Sequence, residues 1–212
     1  MAKFLNGPIG TFSGKVGSII GSNWRDVPYM RGLPKKRTKP FSEGQLAQQQ
    51  RFSMMGKFLL PLKGLLEIGL ANQYTGESTL FNVAMALNLP AVGGSYPDFV
   101  IDYSEVKFST GGLLRPRGVT LAPGEHVVNV SWRPTITAFD GNLDDEVYIL
   151  LYDTVLRTFY TTDEVMTRSA GEAEIEVDDD TAGHEAAVWL FSVSRDGKRI
   201  SETVFAGKLT LE

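Results

Sequence analysis

The chain has 212 residues, 42% of them hydrophobic and 22% charged, which is ordinary for a globular protein of one large domain or two small ones. It contains no cysteine, so disulfides, a thiolate nucleophile and Cys-ligated metals are excluded. The net charge of −4 conceals an asymmetry, because residues 1–71 carry a balance of +8 and residues 72–212 a balance of −12. This separation indicates an anionic partner for the front half, head-to-tail contact between copies, or neutralisation within one molecule.

The N-terminal segment 1–40 is predicted to be a glycine-rich basic arm in extended or turning conformation. Its glycines are interspersed with β-branched and aromatic residues, and glycine permits close backbone approach or positive φ. The run GTFSGKVGS is one residue too short for a phosphate loop, and Val16 stands where Ser or Thr would bind magnesium. We expect strands in this arm to take part in assembly through their edges. The candidate assembly residues are Phe4, Gly7, Gly10, Phe12, Gly14, Val16, Gly17, Ile19, Ile20 and Gly21.

The later part of the arm mixes aromatic side chains with cations. Proteins that bind single-stranded nucleic acid combine these two residue types, because bases stack on the rings while cations meet the phosphates. The alternative is a solvated basic loop. The candidate contact residues for an anion or a nucleic acid are Trp24, Arg25, Tyr29, Arg31, Lys35, Lys36, Arg37 and Lys39.

A helical region is predicted over residues 41–90. Ser42 and Gln45 match a capping box, and the apolar residues up to Gln73 fall on one arc of a helix. Arg51 falls inside that arc, so we expect its charged end to extend to solvent or to meet a partner, and Pro61 predicts a kink or two abutting helices. The helices are interpreted as covering a core, with a partner-binding helix pair as the alternative. A short second helix, Thr79–Leu87 capped by Ser78, is followed by a linker over residues 91–99.

From about residue 98 the pattern predicts an antiparallel β-sandwich of the immunoglobulin or fibronectin kind, over residues 98–212. Short alternating runs are separated by turn signals such as Pro123-Gly124 and Asp196-Gly197. We expect this segment to fold alone. The predicted strands are Ile101–Phe108, Arg117–Leu121, His126–Trp132, Glu146–Tyr152, Leu156–Thr161, Glu172–Val177, Ala187–Ser194 and Ile200–Thr210.

No catalytic, cofactor-binding or metal-ligating residue is predicted, and no small-molecule substrate is identified. His126 and His184 lack the local context of a nucleophile site and are interpreted as strand-end residues, while a spatial triad stays an open alternative. The acidic runs 144–146 and 178–180 lack EF-hand spacing and are interpreted as turns, with calcium binding as the alternative.

Neither a secretion signal nor a membrane span is predicted. The start, MAKFLNGPIG, lacks the continuous apolar core of a Sec signal peptide, so we expect synthesis in the cytoplasm. The most apolar run, FLLPLKGLLEIGL, is too short and too interrupted to span a bilayer. A location in a particle or filament follows only from the assembly hypothesis below.

Four segments carry a resemblance to a known family: GPIGTFSGKVGS, WRDVPYMR, QLAQQQRF and NLPAVGGSYP. They resemble a family of uncharacterised bacterial proteins of about this length, which share the glycine-rich start and a β-rich second half. The resemblance covers the whole chain and implies no known activity, cofactor or catalytic residue. The C-terminal half also resembles fibronectin type III and immunoglobulin-like domains, which are commonly binding or structural modules.

These observations predict an α+β protein with a glycine-rich β-arm, a helical region and an Ig-like sandwich. The leading hypothesis for its function is a non-enzymatic structural protein that assembles into homo-oligomers, as a phage-like or filament-like subunit would. The alternative is a nucleic-acid-binding protein that uses residues 24–39, and the third is an enzyme of unknown class.

Overall fold

A four-stranded antiparallel sheet makes up the first of two structural units, Met1–Ser42, and the second unit is Glu43–Glu212. The protein is represented by a computed structural model. Its described residues are the backbone of 2–3 and all of 12–24, 27–36, 38–76, 78–137 and 140–212.

The strands of the first unit lie in the order β1-β4-β3-β2. A tight turn at Gly17, with φ of +58°, joins β2 to β3, and few residues other than glycine adopt this conformation readily. Gly21 is the only buried residue among those described in this unit, so the described residues of the sheet form no hydrophobic core. The strands are β1 (Ala2–Lys3), β2 (Gly14–Val16), β3 (Ile19–Trp24) and β4 (Val27–Gly32).

The second unit begins with three helices, α1 (Glu43–Leu59), α2 (Lys63–Gly69) and α3 (Leu80–Asn88). Pro61 lies in the 3-10 turn Leu60–Leu62 that separates α1 from α2, which confirms the predicted abutting helices. The cap of α3 is Thr79, whose side chain accepts a hydrogen bond from the Asn82 N–H at 3.1 Å, and not Ser78 as the sequence predicted.

Ten strands follow the helices in the described part of the chain. The predicted linker over residues 91–99 is wrong, since most of it lies in a hairpin of two strands. The prediction of a strand over Ile101–Phe108 is also wrong beyond its first residue, because the Asp102 side chain accepts a hydrogen bond from Ser104 N–H and caps a 3-10 turn. The strands are β5 (Val92–Ser95), β6 (Asp98–Ile101), β7 (Arg117–Gly124), β8 (Val127–Arg133), β9 (Glu146–Asp153), β10 (Thr158–Thr161), β11 (Met166–Thr167), β12 (Glu172–Glu176), β13 (Glu185–Val193) and β14 (Val204–Thr210).

Two antiparallel sheets form a sandwich, as the sequence predicted. One has the strand order β12-β8-β7, and the other has the order β10-β9-β13-β14 with β11 also paired to β9. Their inner faces supply a core of alternating aliphatic side chains, which fits the two-residue period of strands. This core includes Val130, Ile149, Leu151, Ile175, Val188 and Leu190.

The outer face of the β10-β9-β13-β14 sheet is covered by the helices. Phe58 and Leu66 of the helices lie in one cluster with Trp189 and Phe191, which alternate along β13 with the residues of the sandwich core. Trp189 is 0% exposed. Strand β13 is therefore buried on both faces, and the second unit has three layers. The predicted segments 41–90 and 98–212 differ in secondary structure, but they share this core.

Candidate functional site

The aromatic and basic residues of the first unit meet on one face of its sheet. Tyr29 and Arg31 are two residues apart on β4 and so project from the same face of the sheet. Trp24 projects from that face too, because it pairs with Val27 of β4. Lys15 of β2 pairs with Ile20, which itself pairs with Arg31, so Lys15 belongs to this face as well. We call Lys15, Trp24, Tyr29 and Arg31 the basic face. The sequence prediction did not include Lys15, because the register of β2 decides its side of the sheet.

Three predicted contact residues lie beyond this sheet. Lys35, Lys36 and Lys39 follow β4 in chain without regular secondary structure, and all three are exposed. Arg25 and Arg37 lie outside the described residues, as do Phe4, Gly7 and Gly10 of the predicted assembly arm.

The opposite face of the same sheet is apolar. Val16 and Ile19 are paired across β2 and β3 and are 64% and 44% exposed. Phe12 lies against Gly21, where a Cβ would overlap the Phe12 ring and carbonyl oxygen, so only glycine fits there. Met30, the cross-strand neighbour of Gly21, shares this side. Ile20, named with the assembly residues, lies on the basic face instead.

A groove lined by five carboxylates lies on the second unit. Glu172, Glu174 and Glu176 alternate along β12 with the buried residues Ala173 and Ile175, so all three project from the outer face of the β12-β8-β7 sheet. The loop between β10 and β11 adds two more acidic residues, and the groove has a volume of about 680 Å³. The acidic groove is lined by Asp163, Glu164, Glu172, Glu174 and Glu176.

The five carboxylates of the acidic groove have no ion-pair partner within the described part of the chain. Like charges that are gathered on one surface repel one another, and a bound cation or cationic partner relieves the repulsion. Sequence analysis missed this groove. The alternation E-A-E-I-E over residues 172–176 carries the signal, since it places all three glutamates on one side of a strand.

Charge divides at the boundary between the two units. Residues 1–42 carry eight Lys and Arg and one Asp, whereas residues 43–212 carry thirteen Lys and Arg and 24 Asp and Glu. The first unit therefore has a formal charge of +7 and the second a formal charge of −11. The positive charge is concentrated in a shorter segment than the division at residue 71 indicated, because the structural boundary falls after Ser42.

The histidines lie beside aspartates. His184 Nδ1 is 2.7 Å from Asp153 Oδ2, and His126 Nδ1 is 3.4 Å from Asp179 Oδ1. Each histidine comes directly before a strand, as predicted. Within the described ranges, no group of three His, Asp or Glu residues is arranged to hold a metal ion. No helix among the described residues is long and apolar enough to cross a membrane.

Comparisons with solved structures found weak similarity to fibronectin-containing proteins. The twitchin kinase region from C. elegans (Fn31-NL-kin-CRD-Ig26) matches with a TM-score of 0.35 and 14% identity over 48% of this chain. The fn3 domain of human contactin 1 matches with a TM-score of 0.31 and 11% identity over 54% of this chain. The matches span 17% of the twitchin chain and 90% of the contactin chain. The sandwich assignment rests on the strand pairing described above.

Family membership comes from the sequence. No curated protein matches the chain. Residues 11–207 match a family of unknown function, DUF6266, which confirms the resemblance to an uncharacterised family. The matched residues run from just before β2 to β14 and so take in both structural units. The chain is thus a member of the family of unknown function DUF6266.

Proposed function

We propose that this protein is a non-enzymatic structural subunit that self-associates, with the N-terminal sheet of one copy bound in the acidic groove of the next. The observation that carries the proposal is the separation of charge between two structural units, +7 on Met1–Ser42 and −11 on Glu43–Glu212. Opposite potentials on two surfaces of the same chain attract copies to one another and fix their orientation.

The N-terminal sheet also needs a partner for its own stability. An isolated small sheet is marginal in water unless one of its faces is buried. Among the described residues of this sheet only Gly21 is buried. The side chains of Val16 and Ile19 are 64% and 44% exposed. A second copy that covers this face, which lies opposite the basic face, would remove its apolar surface from water, at roughly 25 cal/mol per Å².

Both surfaces belong to every copy, but they are different surfaces. A contact between them is therefore head-to-tail, and such contacts close into rings or continue into open filaments. The outer edge of β2 adds to this tendency, since nothing described pairs with it and exposed edges recruit further strands. We expect assemblies larger than dimers.

Multi-angle light scattering on the full chain across micromolar concentrations tests the proposal. The expected result is a mass that rises with concentration beyond that of a dimer and falls when salt is raised, because salt screens exposed charges. A monomeric mass at every concentration would rule out self-association. A mass that is high and indifferent to salt would contradict the role of charge.

Nucleic-acid binding is the second candidate. It is favoured by the arrangement of the basic face, where the rings of Trp24 and Tyr29 share one side of the sheet with Lys15 and Arg31. Base stacking on such rings contributes about 1–3 kcal/mol per base. The test is binding of a labelled single-stranded oligonucleotide, with an affinity that falls steeply with salt and weakens in Trp24→Ala. No detectable binding at low salt would exclude this function.

A further inference from the structure

A second cavity lies wholly within the second unit, where α1 and β6 face the β9–β10 end of the sandwich. It is an open cleft of about 810 Å³, which falls in the usual range for small-molecule sites. It shares no residue with the acidic groove or with the basic face. We call it the aromatic cleft, defined by Lys57, Phe58, Tyr103, Tyr152, Arg157 and Phe159.

Four aromatic rings form the apolar wall of the cleft. The Phe58 ring centroid lies 4.9 Å from that of Tyr152 and 5.1 Å from that of Phe159. Tyr152 and Phe159 are 4.6 Å apart, and Tyr103 lies 5.7 Å from Tyr152. Rings at these separations make favourable edge and tilted contacts with one another, so the wall is already packed without a ligand.

The two tyrosines bring hydroxyl groups to this wall. Neither hydroxyl has a hydrogen-bond partner among the described residues, and neither is sealed from solvent. Burial raises the pKa of the Tyr152 hydroxyl to about 12 and also raises the pKa of Tyr103. Both therefore stay protonated near neutral pH and can donate a hydrogen bond to a ligand.

Three cationic side chains line the same cleft. Lys208 is 2.7 Å from Glu185 and is therefore neutralised, but Lys57 and Arg157 have no ion-pair partner in the described part of the chain. The charge of Arg157 is close enough to Tyr103 and Tyr152 to lower the pKa of both hydroxyls, against the larger effect of burial. The Arg157 guanidinium and the hydroxyls of Tyr103 and Tyr152 therefore lie close together in the cleft.

Arg157 is held in a conformation that its side chain does not favour. Its φ is +60°, in the left-handed region where glycine or asparagine is the usual residue. The turn is fixed by Asp153, whose Oδ1 accepts hydrogen bonds from the backbone N–H groups of Val155 at 2.7 Å and Leu156 at 3.0 Å. Strained residues of this kind cluster at ligand sites.

We propose that the aromatic cleft binds a small organic anion with a flat aromatic body and a carboxylate or sulfonate group. The body would lie against Phe58, Tyr152 and Phe159, and Arg157 with the two tyrosine hydroxyls would hold the anionic group. Charge-assisted hydrogen bonds of this kind are the strong ones, and guanidinium matches the planar geometry of a carboxylate. This site is independent of self-association.

The fluorescent probe anilinonaphthalene sulfonate combines the required flat body with an anionic group, and phenylnaphthylamine is its neutral counterpart. Titration of the full-length protein with the sulfonate is expected to show saturable binding of one molecule per chain. Arg157→Gly should weaken that binding about tenfold, which is the loss of one charge-assisted hydrogen bond. It should leave phenylnaphthylamine binding unchanged.

The variant is chosen because it should fold, since glycine relieves the positive φ at this position. Circular dichroism and the urea midpoint check this directly. Lys57→Gln is a second variant in the cleft, and Arg195→Gln is the matched control, an exposed arginine 3.4 Å from Asp144 outside the cleft. Absence of saturable binding, equal sulfonate affinity in Arg157→Gly, or an equal loss in Arg195→Gln would each overturn the proposal.

Discussion

Arg168 and Asp145 form a fully buried ion pair, with Arg168 Nη2 3.2 Å from Asp145 Oδ2 and both side chains at most 1% exposed. The same Arg168 Nη2 donates to the Leu114 carbonyl oxygen at 2.6 Å, and the Arg168 carbonyl oxygen accepts from Trp132 Nε1 at 3.0 Å. The pair therefore ties β8, β9 and the segment before β7 together. Buried charges are tolerated only when they are matched in this way.

Asp145→Ala should destabilise the protein by about 3–5 kcal/mol, because it leaves the Arg168 guanidinium buried without its counter-charge. Asp144→Ala is the neighbouring control, since Asp144 pairs with the exposed Arg195 at 3.4 Å and should contribute less than about 1 kcal/mol. Urea denaturation measures both. Equal losses in the two variants would show that the buried pair contributes nothing beyond a surface one.

Removal of the helices should prevent the sandwich from folding natively. In a fragment of residues 98–212, Trp189 and Phe191 would lose the cover of Phe58 and the other helical residues and become exposed on the outer sheet face. Such a fragment should bind hydrophobic dyes and show poorly dispersed amide signals by NMR. A cooperative unfolding transition for this fragment would restore the sequence-based expectation that the sandwich folds alone.

Two glycines on the helices should respond oppositely to alanine. A Cβ at Gly69 would overlap the Phe108 carbonyl oxygen, whereas nothing lies within 4 Å of a Cβ at Gly56 in α1. Gly56→Ala should therefore stabilise the protein by about 0.5–1 kcal/mol through helix propensity, and Gly69→Ala should destabilise it. Thermal unfolding of both variants decides the matter. Stabilisation by Gly69→Ala would contradict the packing described here.

Alkaline pH should destabilise the protein through Tyr152, which is buried, and Tyr148, which is partly buried. Burial raises the pKa of Tyr148 and Tyr152 to about 12, and Tyr148 also donates to Glu146 at 2.9 Å. Because the unfolded chain loses these protons near pH 10, their stabilisation is complete below pH 10 and is lost as pH rises towards 12. Urea midpoints from about pH 9 to about pH 12 should fall less steeply in Tyr152→Phe than in the wild type. Parallel profiles would show that Tyr152 ionises alike in both states.

The sequence predicted that the side chains of β13 alternate between two faces, but it did not predict that both faces are buried. A two-residue period predicts that Val188 and Leu190 face one way and Trp189 and Phe191 the other. It does not show how many layers pack on a sheet, and the helices that cover the second face lie about 100 to 150 residues earlier in the chain. The three-layer arrangement therefore depends on packing between elements that are distant in the sequence.

The sequence predicted the environment of a residue where the type and position of that residue alone determine it. Arg51 was expected either to extend to solvent or to meet a partner, and the second alternative holds. Its Nη2 donates to the Val92 carbonyl oxygen at 2.9 Å, and its guanidinium lies 5.7 Å from the Phe99 ring centroid. Those partners are in the hairpin that sequence analysis interpreted as a linker, since the pair Gly93-Gly94 resembles flexible chain. The aromatic cleft was missed for a similar reason, because long-range packing gathers its residues.

Mixing two variants that each keep one association surface tests the central claim most directly. The first variant, Arg31→Gln with Lys35→Gln and Lys36→Gln, keeps the acidic groove. The second, Glu172→Gln with Glu174→Gln and Glu176→Gln, keeps the N-terminal sheet. A control with exposed glutamates outside the groove changed, Glu67→Gln with Glu105→Gln and Glu125→Gln, should assemble as the wild type does.

Light scattering is expected to find each variant monomeric alone, and their equimolar mixture should form a one-to-one dimer that grows no further. That result follows because the mixture contains one intact pair of complementary charged surfaces per dimer, and a second charged contact cannot form. If both variants assemble alone as the wild type does, or if their mixture stays monomeric while the wild type assembles, the basic sheet and the acidic groove are not the contact, and the account is contradicted.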